Sequence, residues 1–212
     1  MTILFSAYLA PVQFYTKLCG SDVVVEDRGE HFVKQTYRNR CHILGAHGIE
    51  VLTIPVEHSC GQSMSKTPMS DVRISTHEGS WQRRHWHALR TAYEGTPYFD
   101  FLADDLAPIY ERPYKFLCDW NGDLQQTICN IIGLSPLPIV SLKYIQATAS
   151  DHDFRQSLRP KNPTIDPSFS PCPYYQVHTP PELFVPNLSI VDLLFNAGPE
   201  ARLILQSSMK TT

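Results

Sequence analysis

Eight of the seventeen prolines fall between residues 160 and 186, at positions 160, 163, 167, 171, 173, 180, 181 and 186. Proline fixes φ and has no N–H to donate, so this stretch can be neither a helix nor a central strand. It is either an extended arm laid on the surface or a partly mobile loop. The layers of the fold must therefore come from the residues before and after it. With 212 residues in all, those flanks suffice for one core. The expectation is one domain over 1–212 with a proline-rich arm at about 160–186.

The N-terminal flank reads as α/β. The apolar run Ile3 to Leu9 suits a strand, Pro11 opens a helix carrying Phe14 and Leu18, and the β-branched run Asp22 to Glu26 suits a second strand. Strand, short helix, strand predicts a parallel pair. Ala46-His47-Gly48 marks a turn, and Glu50 to Val56 and Asp71 to Ser75 read as further strands, with a polar loop over 58–68 between them. Short connections favour antiparallel neighbours there, which makes the sheet mixed. An α+β arrangement is the alternative.

Helical spacing takes over at residue 80. Trp81, His85, Leu89 and Ala92 share one face and leave Arg83, Arg84 and His87 toward water, with Ser80 as N-cap and Gly95 as stop. Thr96-Pro97 reads as the start of a second helix ending near Pro108. Leu124, Ile128, Ile131 and Ile132 form a third stripe that stops at Gly133. Leu188 to Phe195 is apolar on nearly all sides, which predicts a buried C-terminal helix. Ser189 and Asp192 have capping-box spacing there, and Gly198-Pro199 ends it.

Charge and motifs narrow the function. The net charge is −3 and the pI about 6.3, which argues against nucleic acid as the main partner. Any anion site is local. The six cysteines form no CxxC pair and read as reduced thiols of a cytoplasmic protein. The opening MTILFSAYLAPV lacks the basic start and clean cleavage site of a signal peptide, and no segment approaches the ~20 apolar residues of a membrane span. No HxxxH, HExxH, GxGxxG, Walker or GxSxG sequence occurs, so neither a metal site nor a cofactor is expected. Cys60-Gly61-Gln62 offers a thiol without a paired base.

The strongest local anomaly is KQTYRNRC, residues 34–41, a cationic run directly after the acidic Glu26-Asp27-Arg28-Gly29-Glu30. Taken as an extended strand, it puts Lys34, Thr36, Arg38 and Arg40 on one face, spanning about 20 Å, and Gln35, Tyr37 and Asn39 on the other. Arginine forks suit planar anions. Lys34, Tyr37, Arg38, Asn39 and Arg40 are thus the expected substrate-binding residues. An edge strand kept soluble by its charges is the plain alternative, as is neutralisation of the arginines by Glu26, Asp27 and Glu30. His85 and Glu26 are the candidate proton-transfer residues, although a single His on an apolar helix face is commonly a hydrogen-bonded core residue.

The order of segments resembles the WbqC-like family of bacterial proteins. The matching pieces are SAYLAPVQFYTKL (6–18), FVKQTYRNRC (32–41), TIPVE (53–57), RIS (73–75), SWQRRHWHALRTAYEGTPYFDF (80–101) and PNLSIVDLLFNAGPEA (186–201). Two departures are Ala197, where related chains carry an acid, and Gly122, which interrupts a helix start. The resemblance implies a setting in O-antigen and other surface-polysaccharide assembly, whose precursors are nucleotide or lipid diphosphate sugars. The expected function is a transferase acting on an activated sugar or related phosphate-bearing precursor. A non-catalytic accessory protein is the alternative, and a metal-dependent hydrolase a remote third. A closed pocket joining the cations to a His or carboxylate would favour the enzyme, and a flat cationic face the accessory role.

Overall fold

The structure, a computed structural model, describes residues 1–57, 66–77 and 79–210. The βαβ start is present: β1 (Thr2–Phe5), α1 (Val12–Cys19) and β2 (Val24–Asp27). Thr2 pairs with Val24 and Phe5 with Asp27 in parallel register. Every residue of both strands is buried, which is why they read as continuous apolar or β-branched runs. The first strand is shorter than its apolar run, because the chain turns at Tyr8 and Leu9, with Leu9 at φ 39°.

Two short strands complete a four-stranded parallel sheet, β5 (Ile139–Ser141) beside β2 and β6 (His152–Asp153) beside β1, in the order β5-β2-β1-β6. A separate antiparallel hairpin joins β3 (Arg40–Gly45) to β4 (Gly48–Thr53), closed between Gly45 and Gly48. The architecture is therefore mixed α/β.

Helices α2 (Trp81–Tyr93), α3 (Phe99–Glu111) and α4 (Leu117–Ile132) form the middle, and α5 (Ile190–Ala197) and α6 (Ala201–Ser207) close the chain. In α2, Trp81, His85, Leu89 and Ala92 are buried while Arg83, Arg84 and His87 are exposed. All eight residues of α5 are buried, and α4 stops at Gly133 with φ +71°, a left-handed cap that favours glycine.

Several local expectations are corrected. Ser80 precedes α2 at φ 68° without a side-chain cap, and Ser189 spends its hydroxyl on the Leu9 carbonyl. The Thr96 hydroxyl bonds back to the Tyr93 carbonyl, so the second helix starts at Phe99. Pro108 lies inside α3 rather than at its end. Pro108 and Asp104, whose carbonyl loses its helical partner, both sit on the exposed side of the helix. Residues 71–75 form no regular strand. Val72 and Ile74 take their backbone partners from Leu117 and Lys115, at the entry to α4.

Residues 160–186 carry no helix or strand. They are held by an isolated antiparallel bridge between Phe169 and Met209 and by side chains. Asp166 pairs with Lys17 at 2.5 Å and accepts from the Gln13 amide. Gln176 donates to Asp192 and the Val185 carbonyl. Cys19, Cys41, Cys118, Cys129 and Cys172 are unpaired thiols.

Candidate functional site: a cation-lined cleft

The KQTYRNRC segment does not form a strand. Residues 34–39 run through turns, with Gln35 at φ 60°, and β3 begins only at Arg40. The Thr36 hydroxyl, bonded to the Val33 carbonyl at 2.7 Å, closes one of them. A turning backbone does not alternate its side chains, so the expected shared face of Lys34, Arg38 and Arg40 is absent.

Arg38 leaves the row altogether and is fully buried. Its Nε and Nη2 donate to the two carboxylate oxygens of Glu30 at 2.8 and 2.6 Å, and Nη2 also donates to the Arg155 carbonyl. Its guanidinium lies 4.4 Å from the centroid of Phe5. Burial pushes the Glu30 carboxyl upward while the Arg38 guanidinium pulls it back. The neighbouring acids are used likewise. Glu26 accepts from Arg28 at 2.6 Å and from Gln125. Asp27 pairs with Arg155 and caps the amides of Gly29, Glu30 and Ile145. These acids follow or end β2, and Arg155 follows β6. The carboxyl edge of the parallel sheet, where open α/β folds commonly place ligands, is thus filled by the chain's own ion pairs. Tyr37 is also buried, its ring edge-on to His42, and burial pushes its phenol up to about 12.

Lys34, Asn39 and Arg40 meet elsewhere. They line a cleft of about 740 Å³ together with Phe32, Gln35, the run Thr53 to Glu57, Ser75 and His77. Its floor is the extended run 53–57. On one side Arg40 pairs with Thr53, and Asn39 and Ile54 exchange bonds: the Ile54 amide donates to the Asn39 carbonyl at 2.8 Å and the Asn39 side-chain amide to the Ile54 carbonyl at 2.9 Å. On the other side Val56 bridges Ile74, the Ser75 amide donates to Pro55 and the Glu57 amide to Arg73.

The electrostatics of the cleft differ from those of the core. Arg28, Arg38, Arg155 and Lys17 each hold a carboxylate. Among the described residues neither Lys34 nor Arg40 does. The Asn39 Oδ1 and Arg40 Nε atoms are buried with no hydrogen-bond partner among those residues, although Asn39 is only 6% exposed.

His85 and Glu26 do not line this cleft. His85 packs in the core between Tyr8 and Trp81. Its Nδ1 is 3.0 Å from the Tyr8 hydroxyl, which also meets the Tyr110 hydroxyl. Burial holds the imidazole pKa down at about 4. Glu57, Ser75 and His77 do line the cleft and were missed from sequence. The signal for Glu57 was the alternation of TIPVE, with Ile54 fully buried and Thr53 exposed. Cys60-Gly61-Gln62 lies outside the described residues. Among those residues no three His, Cys, Asp or Glu side chains gather closely enough to hold a metal ion, and no helix is long and apolar enough to cross a membrane.

The sequence profile of the WbqC-like protein family matches residues 6–161. The chain belongs to the WbqC-like protein family. The matched span includes every residue of the cleft, whereas α5 and α6 lie beyond it. A relative, the uncharacterized protein Rv1507c of Mycobacterium tuberculosis (strain ATCC 25618 / H37Rv), is 29% identical over 196 residues, covering 80% of this chain and 81% of the relative. No solved structure matches the chain. Within this WbqC-like chain, the cleft gathers two cations that hold no carboxylate among the described residues, a carboxylate and an imidazole from three separate segments.

Proposed function

We propose that the cleft binds a phosphate-bearing precursor through Arg40, Lys34 and Asn39, and that the protein is a transferase acting on an activated sugar. The observation that carries this reading is a concave cleft lined by Lys34 and Arg40, neither of which holds a carboxylate among the described residues. A guanidinium offers a planar fork to two phosphate oxygens, and Lys34 adds a mobile point charge. The volume suits a small ligand. A concave site joining cations to Glu57 and His77 supports an enzyme over an accessory protein with a flat face. The family's expected polysaccharide setting supplies diphosphate sugars as substrates. Arg38 has no part in this reading, since Glu30 occupies its fork.

The test is a thermal-shift titration with inorganic pyrophosphate and with nucleotide diphosphate sugars. Ligand in excess of its Kd should raise the Tm of the wild type by mass action. Arg40→Ala should lose about tenfold or more in affinity, the effect of a charge-assisted hydrogen bond worth ~1.5–3 kcal/mol, with the unliganded Tm unchanged. Equal binding by wild type and Arg40→Ala would remove the cleft from consideration.

A further inference from the structure

The cleft has two chemically different ends, and their separation is set by backbone pairing. Arg40 pairs with Thr53 at one end of the floor. Glu57 lies four residues further along the same extended run, about 13 Å at ~3.3 Å per residue. Thr53, Pro55 and Glu57 fall on one face of that run, and the residue between the first two, Ile54, is fully buried on the other. Both neighbours of the run are hydrogen-bonded to it, Asn39 near the start and Ser75 and Arg73 near the end, so the ruler is stiff.

The far end has its own chemistry. Among the described residues, the Glu57 carboxylate makes no ion pair, and the cleft lining also includes Ser75, which antiparallel pairing sets opposite Pro55, and His77. A carboxylate accepts hydrogen bonds only, while a hydroxyl and an imidazole both donate and accept. Such a set matches ligand hydroxyl groups. A second phosphate would meet repulsion from Glu57. Between the ends the face that Thr53 and Glu57 share carries Pro55, whose apolar ring suits the C–H face of a sugar ring.

We infer that Glu57 is a specificity-determining residue: it accepts hydrogen bonds from hydroxyls on the sugar end of a ligand whose phosphate sits on Arg40 and Lys34. This rests on the phosphate reading above and adds to it the direction in which the ligand lies. Once the reach of the two side chains is subtracted, the separation suits one hexose phosphate lying lengthwise between them.

The experiment compares inorganic phosphate with glucose 1-phosphate, which carry the same anionic group, by calorimetric titration of wild type, Glu57→Gln and Arg40→Ala. The wild type should bind glucose 1-phosphate about fivefold to tenfold tighter than phosphate, the worth of one or two added hydrogen bonds. Glu57→Gln, which keeps one neutral acceptor oxygen in place of a charged carboxylate, should reduce that preference while leaving phosphate binding unchanged or slightly tighter, because a negative charge has gone. Arg40→Ala should weaken both ligands. If wild type binds the two equally, or if Glu57→Gln keeps the preference or weakens both alike, the role of Glu57 is refuted and the phosphate reading stands. If phosphate and glucose 1-phosphate both fail to bind wild type, the phosphate reading falls and this inference with it. Melting curves of the free variants identify any that fails to fold. In that case Glu57→Asp, one methylene shorter, gives the same comparison and should reduce the preference.

Discussion

Arg38 and Arg40 stand two residues apart in one motif and have opposite fates. Arg38 fills a bidentate pair with Glu30 in the core, and Arg40 lines the cleft. Removing one partner of a buried pair leaves the other charge uncompensated, which costs ~3–5 kcal/mol. Arg38→Ala is therefore expected to lose about that much stability in urea denaturation, while Arg40→Ala stays within ~0.5 kcal/mol of wild type. An Arg38→Ala protein as stable as wild type would show that the Glu30 pair is not what anchors the segment. Gly122 presents a second residue-scale contrast. By propensity, alanine inside α4 gains ~1 kcal/mol over glycine. A Cβ at Gly122, however, would sit 3.0 Å from Arg28 Nη2, whose Nε holds Glu26. Gly122→Ala should accordingly fail to deliver that gain, and a variant stabilised by the full amount would mean that Arg28 moves aside freely.

At the scale of elements, α5 adds one buried carboxylate to its apolar packing against its neighbours. Asp192 accepts from the Tyr93 hydroxyl of α2 at 2.9 Å, and from the Tyr174 hydroxyl at 2.7 Å and the Gln176 amide at 2.9 Å, both in the proline-rich stretch. Burial raises its carboxyl above the usual range, and the three donors oppose that. The stretch forms no helix or strand, and these side-chain bonds, with Lys17–Asp166 and the backbone bridge between Phe169 and Met209, hold it down. Replacing Tyr174 with Phe and Gln176 with Ala together should lower the local opening free energy by roughly 1–3 kcal/mol, about one net hydrogen bond each. Chymotrypsin should then cut within 160–186 faster than in wild type, with global unfolding affected less. Unchanged cleavage would assign the anchoring to backbone contacts instead.

For the whole molecule, the acid limb of stability depends on His85. Its folded pKa of about 4 lies below the ordinary value of 6.5, so the unfolded chain binds the proton more readily. Stability from this group is complete above about pH 6.5 and is lost as pH falls from there toward about 4, with a total on the order of 3 kcal/mol. Asp153 and Asp166, whose carboxyls their Arg155 and Lys17 partners pull down against burial, lose stability in the same direction at lower pH. Asp192 and Glu30, raised by burial, act oppositely. Unfolding free energies measured across this window should fall for wild type and fall less steeply for His85→Gln. Parallel curves would place the acid sensitivity in the carboxylates alone.

Features that repeat at a short, regular interval were legible in the chain before it folded. The phase of α2, the stripe of α4 ending at Gly133, the all-round burial of α5 and the parallel βαβ start follow from periods of 3.6 and 2 and from the punctuation of Pro and Gly. The prolines of 160–186 likewise excluded regular structure there. Strands β5 and β6 escaped, because three and two residues carry no period. The tertiary structure alone decided the partner of each charge. Arg38 finds Glu30 and the carbonyl of Arg155, and Asp27 finds Arg155 128 residues away, only because parallel pairing brings the ends of β2 and β6 to one edge of the sheet. The cleft is assembled in the same way from residues 32–40, 53–57 and 75–77. Burial cost makes each buried charge take the partner that the fold brings near, and Arg40 and Lys34 are left to face the cleft because no carboxylate among the described residues reaches them.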